Sequence, residues 1–571
     1  MSAIQQLIAE RMDIWTAADT GKRLGRGRTS SNAGSVYGVK KLRELILELA
    51  VRGKLIPQDA NDEPASELLK RIQAEKAKLV AEGKIKKDKP IAAIADDEKP
   101  FELPLGWVFV RNGELFQLRK GRIPKSLNED ELGLPYLDID ALDRNIIRRY
   151  SEEFTCPQST DKDILVVCDG SRSGLVLDGK NGIIGSTLSI IDTPVFIQNY
   201  IKLIFKQGFE IFNTSMKGAA IPHLDTQKLL QNPTALPPLA EQCRIVAKVD
   251  ELMALCDQLE AQHSNAAEAH EKLVNHLLGT VTQSQSADDF SANWQRIAAH
   301  FDTLFTTEAS IDALKQTLLQ LAVMGKLVPQ DPNDEPASEL LKRIQAEKAK
   351  LIAEGKVKKE KPLAAIANDE KSFDLPKGWS YARLRELATH LGDGLHGTPL
   401  YSKSGEYYFV NGNNLKEGRI VIKHETKTVD IHEYERYKKP LTQDTLLVSI
   451  NGTLGAVAFY DGEPIILGKS ACYVNLVSEK VSKNFVKLLI DTPTFMKYAL
   501  ENATGMTIKN LGLKAMNDMP VALPPLNEQH RIVTKVDILM TLCDQLKTRI
   551  TAANQQQQKL ADVLVVQAVA G

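Results

Sequence analysis

The side chains that could do chemistry in this 571-residue chain are polar groups in glycine-rich segments. Glycine allows tight backbone turns, so short polar side chains beside it can present hydrogen-bond donors and acceptors to a ligand. The candidates are Lys120, Arg122, Lys125, Ser171, Arg172, Ser173 and His223, followed by His396, Thr398, Asn411, Asn413, Asn414, Asn451, Thr453, Lys509 and Asn510. Their chemistry is hydrogen bonding, and an ordinary solvated turn is the alternative at each position.

Motifs for catalysis or metal binding are not found in the sequence. It contains no GxxxxGK[ST] phosphate loop. Asn232–Ala235 reads Asn-Pro-Thr-Ala, without the second proline and the aromatic residue of an adenine-methyltransferase tetrapeptide. Asp138 and Asp140 lack a following lysine motif, and the six cysteines show no CxxC pair or nearby histidine. We therefore predict a non-catalytic protein without a metal or cofactor of its own.

Composition predicts a soluble, untargeted protein of several structural units. Hydrophobic residues make up 43% and charged residues 25% of the chain. The sequence has no apolar run approaching about 18 residues, and cysteines without a pairing pattern fit a reducing cytoplasm. The net charge of −1 does not by itself favour a nucleic-acid partner.

The chain contains a long internal duplication. Residues 53–107 match residues 325–379 at 45 of 55 positions, and we call each copy a frame. Within the first frame, Ala65–Gly83 is predicted to be an amphipathic helix that stops at the glycine. The following Lys84–Lys89 run, repeated at Lys356–Lys361, is typical of a solvated linker, with phosphate contact as the alternative.

A second repeat predicts two long helices. Residues 235–259 match residues 522–546 at 20 of 25 positions, and each copy begins a 4,3 spacing of apolar residues that is typical of a coiled coil. The predicted seam consists of Ile245, Val249, Leu252, Leu259, Ile532, Val536, Leu539, Leu546 and Ile550. Two copies of one surface in one chain can dock two copies of one partner, whereas duplication without a partner is the alternative.

The blocks between these repeats differ in sequence but retain weak correspondences. Both read as short strands with glycine-rich loops, and Asp163 and Asp444 each precede an apolar run and a glycine eleven residues later. Gly218–Leu224 similarly parallels Gly505–Leu511. We predict an α+β fold, in which two α/β domains are separated by long antiparallel coiled-coil helices in a pseudo-two-fold internal repeat.

The doubled element LPPL-x-EQ-x-RIV-x-KVD, each time after a variable block that LP-x-GW opens, resembles the specificity subunits of type I restriction-modification enzymes. The resemblance covers nearly the whole chain. It implies two target recognition domains reading a bipartite, asymmetric double-stranded DNA target. It also implies two methyltransferase subunits and restriction subunits as partners, which would carry S-adenosylmethionine, ATP and Mg²⁺.

This resemblance suggests a division into five regions. They are 1–107, a helical and linker region with the first frame; 108–238, recognition domain 1; 239–379, a central long helix and the second frame; 380–525, recognition domain 2; and 526–571, a C-terminal long helix that pairs with the central one. The sequence does not assign a role to residues 1–41 and 280–312.

If the chain reads DNA, the polar candidates are expected to contact bases, because a DNA sequence is recognised by side chains that hydrogen-bond to base edges.

The two variable blocks carry little net charge: residues 108–233 contain 15 Lys and Arg against 16 Asp and Glu, and residues 380–520 contain 17 against 15. Partner subunits would then supply many phosphate contacts. The alternatives are a coiled-coil scaffold without base readout and a fused DNA methyltransferase or nuclease, although the catalytic motifs are missing.

Overall fold

The chain forms two compact units. A computed structural model describes residues 11–17, 36–83, 85, 91–214, 223–359 and 362–570. Unit 1 comprises residues 1–267 and 553–571, and unit 2 comprises residues 268–552. Most of Lys84–Lys89, the end of Lys356–Lys361 and Gly218–Pro222 lie outside the described residues. Among the described helices, none combines the length and the apolar character needed to cross a bilayer.

Unit 1 begins with helices and continues into short strands. The elements up to the first long helix are α1 (Met12–Ala17), α2 (Tyr37–Val51), α3 (Ala65–Ala81), β1 (Val108–Arg111), α4 (Asn112–Leu115), β2 (Gln117–Lys120), β3 (Leu134–Leu137), α5 (Ile139–Asp143), β4 (Tyr150–Ser151), β5 (Gln158–Ser159), β6 (Ile164–Val167), β7 (Val176–Asp178), β8 (Gly182–Ile184), β9 (Leu188–Asp192), α6 (Gln198–Thr214), α7 (Thr226–Gln231), β10 (Pro233–Leu236) and α8 (Leu239–Gln283). Short 3-10 helices occupy Asp96–Glu98 and Val195–Ile197.

Unit 2, whose last helix continues into unit 1 from residue 553, repeats this order with additional elements. They are α9 (Ala287–Ala299), α10 (Phe301–Leu304), α11 (Glu308–Val323), α12 (Ala337–Ala353), β11 (Ser380–Arg383), β12 (Ala388–Asp393), β13 (Tyr407–Val410), β14 (Leu415–Lys416), β15 (Arg419–Ile420), β16 (Thr428–Val429), α13 (Ile431–Tyr437), β17 (Thr445–Ser449), β18 (Val457–Phe459), β19 (Ile465–Leu467), β20 (Ala471–Leu476), α14 (Lys483–Ile490), α15 (Pro493–Asn502), β21 (Ala503–Thr504), β22 (Asn510–Leu511), α16 (Leu513–Asp518), β23 (Pro520–Leu523) and α17 (Leu526–Ala570). Short 3-10 helices occupy Asn368–Glu370, Leu384–Leu387 and Gly412–Asn414.

The two unlike blocks share most of their sheet topology, although the second sheet has four strands in unit 1 and three in unit 2, and unit 2 adds the pairs β14 with β15 and β21 with β22. An antiparallel four-stranded sheet has the order β2-β9-β6-β7 in unit 1 and β12-β20-β17-β18 in unit 2. A second sheet in each unit contains one parallel pair, β3 with β8 and β13 with β19. The block is closed by antiparallel pairing of its first and last strands, β1 with β10 and β11 with β23. The weak correspondences in the sequence therefore reflect a shared fold.

The central strands β6 and β17 form because their apolar runs can be buried completely. Every residue of Ile164–Val167 and of Thr445–Ser449 is buried. Continuous apolar runs of this length suit strands that are covered on both faces. The run ends where the chain must leave the sheet, and there each block continues into a polar glycine-containing loop.

The seam predicted on the two long helices is covered largely by two shorter helices. Ile245, Val249, Leu252, Leu259, Ile532 and Val536 are buried, and Leu539, Leu546 and Ile550 are half-buried. In unit 1 the α8 seam shares a core with α2, and Arg43 of α2 forms ion pairs with Asp257 (2.7 Å) and Glu260 (2.8 Å). In unit 2 the α17 seam shares its cores with α11. Spacing alone did not identify these two helices as packing partners.

Contacts along the short helices establish the direction of the long ones. Tyr37 donates a hydrogen bond to Asp562 and Lys54 donates one to Val569 O, so α2 and the end of α17 run the same way. Glu260 lies beside Val36 while Glu241 lies beside Gln58, so α8 runs the opposite way. The fold is thus α+β, with two α/β domains, antiparallel long helices and an internal repeat, as the sequence predicted.

A buried carboxylate joins each frame to the start of its long helix. Glu241 accepts hydrogen bonds from Trp107 Nε1 (2.9 Å) and Gln58 Nε2 (3.3 Å). In the second copy, Glu528 accepts them from Trp379 Nε1 (3.0 Å) and Gln330 Nε2 (3.1 Å). Both glutamates are buried, and this burial raises their pKa, although the hydrogen bonds oppose the increase. The Trp and Glu residues that are identical in the two copies therefore have the same structural role.

These glutamates should make stability depend on pH in a defined direction. Because their pKa is raised on folding, the folded chain holds more protons than the unfolded chain between the unfolded pKa of glutamate, about 4.3, and the higher folded pKa, so stability is lost as pH rises through the folded pKa. The comparison is between the wild type and the double variant Glu241→Gln, Glu528→Gln. We expect the free energy of unfolding of the wild type, minus that of the double variant, to fall with increasing pH. Urea unfolding of the full chain across this range measures the difference.

The matched control replaces two exposed glutamates at equivalent frame positions, Glu67→Gln with Glu339→Gln. The free energy of unfolding of this control variant, relative to the wild type, should change less with pH, because the control removes no buried carboxylate. The prediction would be contradicted if the difference in free energy of unfolding between the wild type and the Glu241→Gln, Glu528→Gln variant stayed constant with pH.

Candidate nucleic-acid interface

In unit 1, several polar candidates lie at one end of the four-stranded sheet. Lys120, the last residue of β2, pairs with Ser189 of β9, and Val167 at the end of β6 pairs with Leu188. The loops that continue from β2 and β6 therefore start side by side. These loops carry the candidates Arg122, Lys125, Ser171, Arg172 and Ser173.

Asp169 organises this end of the sheet, although the sequence did not single it out as a site residue. Its carboxylate lies 2.7 Å from Nδ1 of His223 and 3.7 Å from Nζ of Lys120. The side chain of Asp169 is 18% exposed, whereas those of His223 and Lys120 are 54% and 62% exposed. The available signal was its position: it follows the buried strand by two residues and precedes a glycine.

The arginine candidates of unit 1 are paired with carboxylates. Arg122 lies 3.0 Å from Glu153, and Arg172 lies 2.9 Å from Asp143. The backbone N–H of Lys125 also donates to Glu153 and, together with Arg122, holds the pKa of that carboxyl below its usual value. The Arg172 hydrogen bond likewise lowers the pKa of Asp143. These pairs balance the positive charge locally, in line with the small net charge of the block.

In unit 2, the equivalent sheet end gathers residues from distant parts of the chain. Asp393 at the end of β12 pairs with Cys472, and Ser449 at the end of β17 pairs with Ala471. The Asp393 carboxylate lies 2.6 Å from Nε2 of His396. The loop before β20 adds Ser470, whose hydroxyl donates a 3.0 Å hydrogen bond to Asn411 Oδ1. Ser470 was missed because its partner lies 59 residues away in the sequence, whereas Asp393 lies in the same segment as the candidate His396 but was not itself chosen as a site residue.

The hairpin of β21 and β22 adds the last candidates to this end. Gly452 N donates to Lys509 O (3.0 Å), and the Asn451 side chain donates to Asn510 Oδ1 (3.2 Å). Thus His396, Asn411, Asn451, Lys509 and Asn510 come together at one end of the unit 2 sheet. The candidates Lys125, Ser171, Thr398, Asn413, Thr453 and Lys509 have exposed side chains.

Two candidates are buried and bonded within their own unit. Ser173 is 0% exposed and its hydroxyl donates to Gly170 O (2.8 Å). Asn414 is 6% exposed; its amide donates to Val421 O (3.0 Å) and accepts from Asn411 N (3.0 Å). A contact between either side chain and DNA stays a prediction, since each already supports a loop from inside. Among the described residues, no cluster of three or more His, Cys, Asp or Glu side chains could hold a metal ion.

The two units share a fold, and each presents different polar side chains at the same end of its four-stranded sheet. This arrangement is that of a duplicated α+β recognition protein. Comparison with known proteins agrees. A family model for the type I restriction modification DNA specificity domain matches residues 104–269 and 376–555. The EcoEI type I restriction enzyme specificity subunit of Escherichia coli is 38% identical over 98% of this chain and 99% of its own length. For the EcoAI specificity subunit of Escherichia coli, identity is 38% over 99% of this chain and 100% of that one.

The chain therefore belongs to the family of type I restriction-modification specificity subunits, which makes it a non-catalytic DNA-recognition subunit. A solved structure, the HsdS subunit from Thermoanaerobacter tengcongensis, is 17% identical, with 83% of this chain and 99% of that chain covered. Its TM-score of 0.36 is too low to transfer positions between the two structures.

The neighbours Asn413 and Asn414 offer a test of which candidates support the loop. We expect Asn414→Ala to lower the free energy of unfolding by about 1–3 kcal/mol, because it leaves Val421 O and Asn411 N without their partner. Asn413→Ala, at an exposed position, should change stability by no more than about 0.5 kcal/mol. Urea unfolding of both variants measures this, and equal effects would argue against the structural role of Asn414.

Proposed function

We propose that this chain reads a bipartite, asymmetric double-stranded DNA target, one half with each unit, and scaffolds two methyltransferase subunits. Through them it also recruits restriction subunits in the bacterial cytoplasm. The observation that carries the proposal is the contrast between nearly identical frames and unlike sheet ends on a shared topology. Repeated surfaces suit two copies of one partner, whereas different polar side chains suit two different base sequences.

The proposal assigns the chemistry to the partners. Methyl transfer would use S-adenosylmethionine on the methyltransferase subunits, and cleavage would use ATP and Mg²⁺ on the restriction subunits. This chain would contribute position and base selection. A scaffold without base readout remains the second candidate, since the frames alone would serve it equally well.

Exchange of one block separates these two functions. Replacing residues 108–233 with the corresponding block of another family member should change one half of the methylated target and leave the other half and the gap intact. Methylome sequencing of a host that expresses the chain with its partner subunits would read both halves together. An unchanged target after the exchange would support the scaffold instead.

A second expectation follows from charge. With net charges of −1 for residues 108–233 and +2 for residues 380–520, the blocks can release few counterions from DNA. We expect the purified chain alone to bind its target weakly and to bind tightly only with methyltransferase subunits present. Fluorescence anisotropy with specific and scrambled duplexes at fixed salt measures this, and tight specific binding by the isolated chain would contradict it.

A further inference from the structure

One backbone feature is shared by the two sheet ends but carries different side chains. After β6, Asp169 forms an isolated antiparallel bridge with His223; after β17, Asn451 forms one with Asn510. Each bridge lies beside the same kind of backbone hydrogen bond, Leu224 N to Cys168 O in unit 1 and Leu511 N to Ile450 O in unit 2, both 2.8 Å. The two bridges are therefore equivalent positions of the repeated fold.

The residue that follows each bridge strengthens the equivalence. Gly170 has a φ of 101° and Gly452 a φ of 76°. This left-handed backbone favours glycine, so both loops turn in the same way directly after the bridging residue. The local backbone is thus retained while the side chains on it have diverged.

The divergence concerns hydrogen-bonding chemistry. In unit 2, Asn451 Nδ2 donates to Asn510 Oδ1. This leaves one acceptor, Asn451 Oδ1, and one donor, Asn510 Nδ2, on the two side chains that the bond joins, and within the described part of the chain neither atom has a hydrogen-bond partner. The major-groove edge of adenine presents the complementary pair, the N6 donor beside the N7 acceptor.

Unit 1 offers a different edge at the same place. The Asp169 carboxylate can only accept, and it holds His223 through Nδ1 at 2.7 Å, so the ring directs Nε2 away from that bond. Lys120 adds an ammonium group 3.7 Å from the same carboxylate. No neighbouring amide donor and acceptor are available from this pair, so it does not match adenine in the way that the asparagine pair does.

A purely structural role explains the bridges but not their side chains. The backbone bond at Leu224 or Leu511 closes the loop whatever side chain lies beside it. The imidazole of His223 is 54% exposed, so packing does not require it either. Where the fold does require a side chain, as at Trp107 and Trp379, the two copies are identical.

We propose that the bridge pair, Asp169 with His223 in unit 1 and Asn451 with Asn510 in unit 2, determines the base read at one position of each half-target. This rests on the proposed reading of a bipartite target. Asn451 and Asn510 together read adenine. His223 contacts a different base, and Asp169 is a positioning residue that orients its ring.

The test transfers the pair of one unit into the other. Asp169→Asn with His223→Asn places the asparagine pair in unit 1, and the reciprocal change is Asn451→Asp with Asn510→His. Each chain is expressed with its partner subunits, and methylome sequencing reports both half-targets and the gap. His263→Asn on α8, away from the sheet end, is the control for the histidine substitution.

The expected result for the unit 1 variant is a change at one base position of one half-target. That position should switch to adenine or lose at least about 10-fold in discrimination. The other half-target, read by the unaltered unit in the same molecule, shows that the subunit has folded and assembled. Asp169→Asn alone should weaken discrimination at the same position.

Unchanged half-targets in both transfer variants would overturn the inference, as would changes spread over several positions or an equal effect of His263→Asn. Failure of the proposed function looks different. In that case the wild-type chain itself would direct methylation to no bipartite sequence, or the exchange of residues 108–233 would leave the target unaltered.

Discussion

The rest of the structure depends on the buried carboxylate at the start of each long helix. Glu241 connects three parts of the chain that are far apart in sequence: the frame residues Gln58 and Trp107, and the helix α8 on which it lies. A buried carboxylate is unfavourable unless its hydrogen bonds are made. Its partners must therefore reach it together, which fixes the position of the frame relative to the helix.

That constraint places the variable block as well. The block begins with β1 directly after Trp107 and ends with β10 two residues before α8, and these two strands pair with each other. A second anchor follows at once, because the guanidinium of Arg111 donates to Glu98 and to Gln231 O. The first and last strands of the block are thus held together by their pairing and by Arg111. The loops at the end of the β2-β9-β6-β7 sheet are not part of this anchor, so their sequences are free to differ. Arg383 repeats this anchor with Glu370 and Asp518 O.

The repeats and the long helices were predictable because duplication and 4,3 spacing are visible in a single sequence. Shared topology between the blocks was only indicated, by Asp163 and Asp444 and the glycines that follow. The helices α2 and α11 were missed as partners of the seam, since a spacing pattern shows which face is buried but not what covers it. Asp169 and Ser470 were missed because their partners, His223 and Asn411, are distant in sequence and are brought to them only by the folding of the sheet.

The final turns of α17 have a consequence for how the chain is made. Tyr37 and its partner Asp562 are separated by 525 residues, and Ala561 belongs to the same core as Leu42 and Leu45. At about 5–20 residues per second, a ribosome needs roughly 25–100 s to travel that distance. During this interval the part of the α2 surface that Ala561 and its neighbours cover in the folded chain lacks that cover. Long-range closure of this kind slows folding, because contacts between residues so far apart in sequence form late.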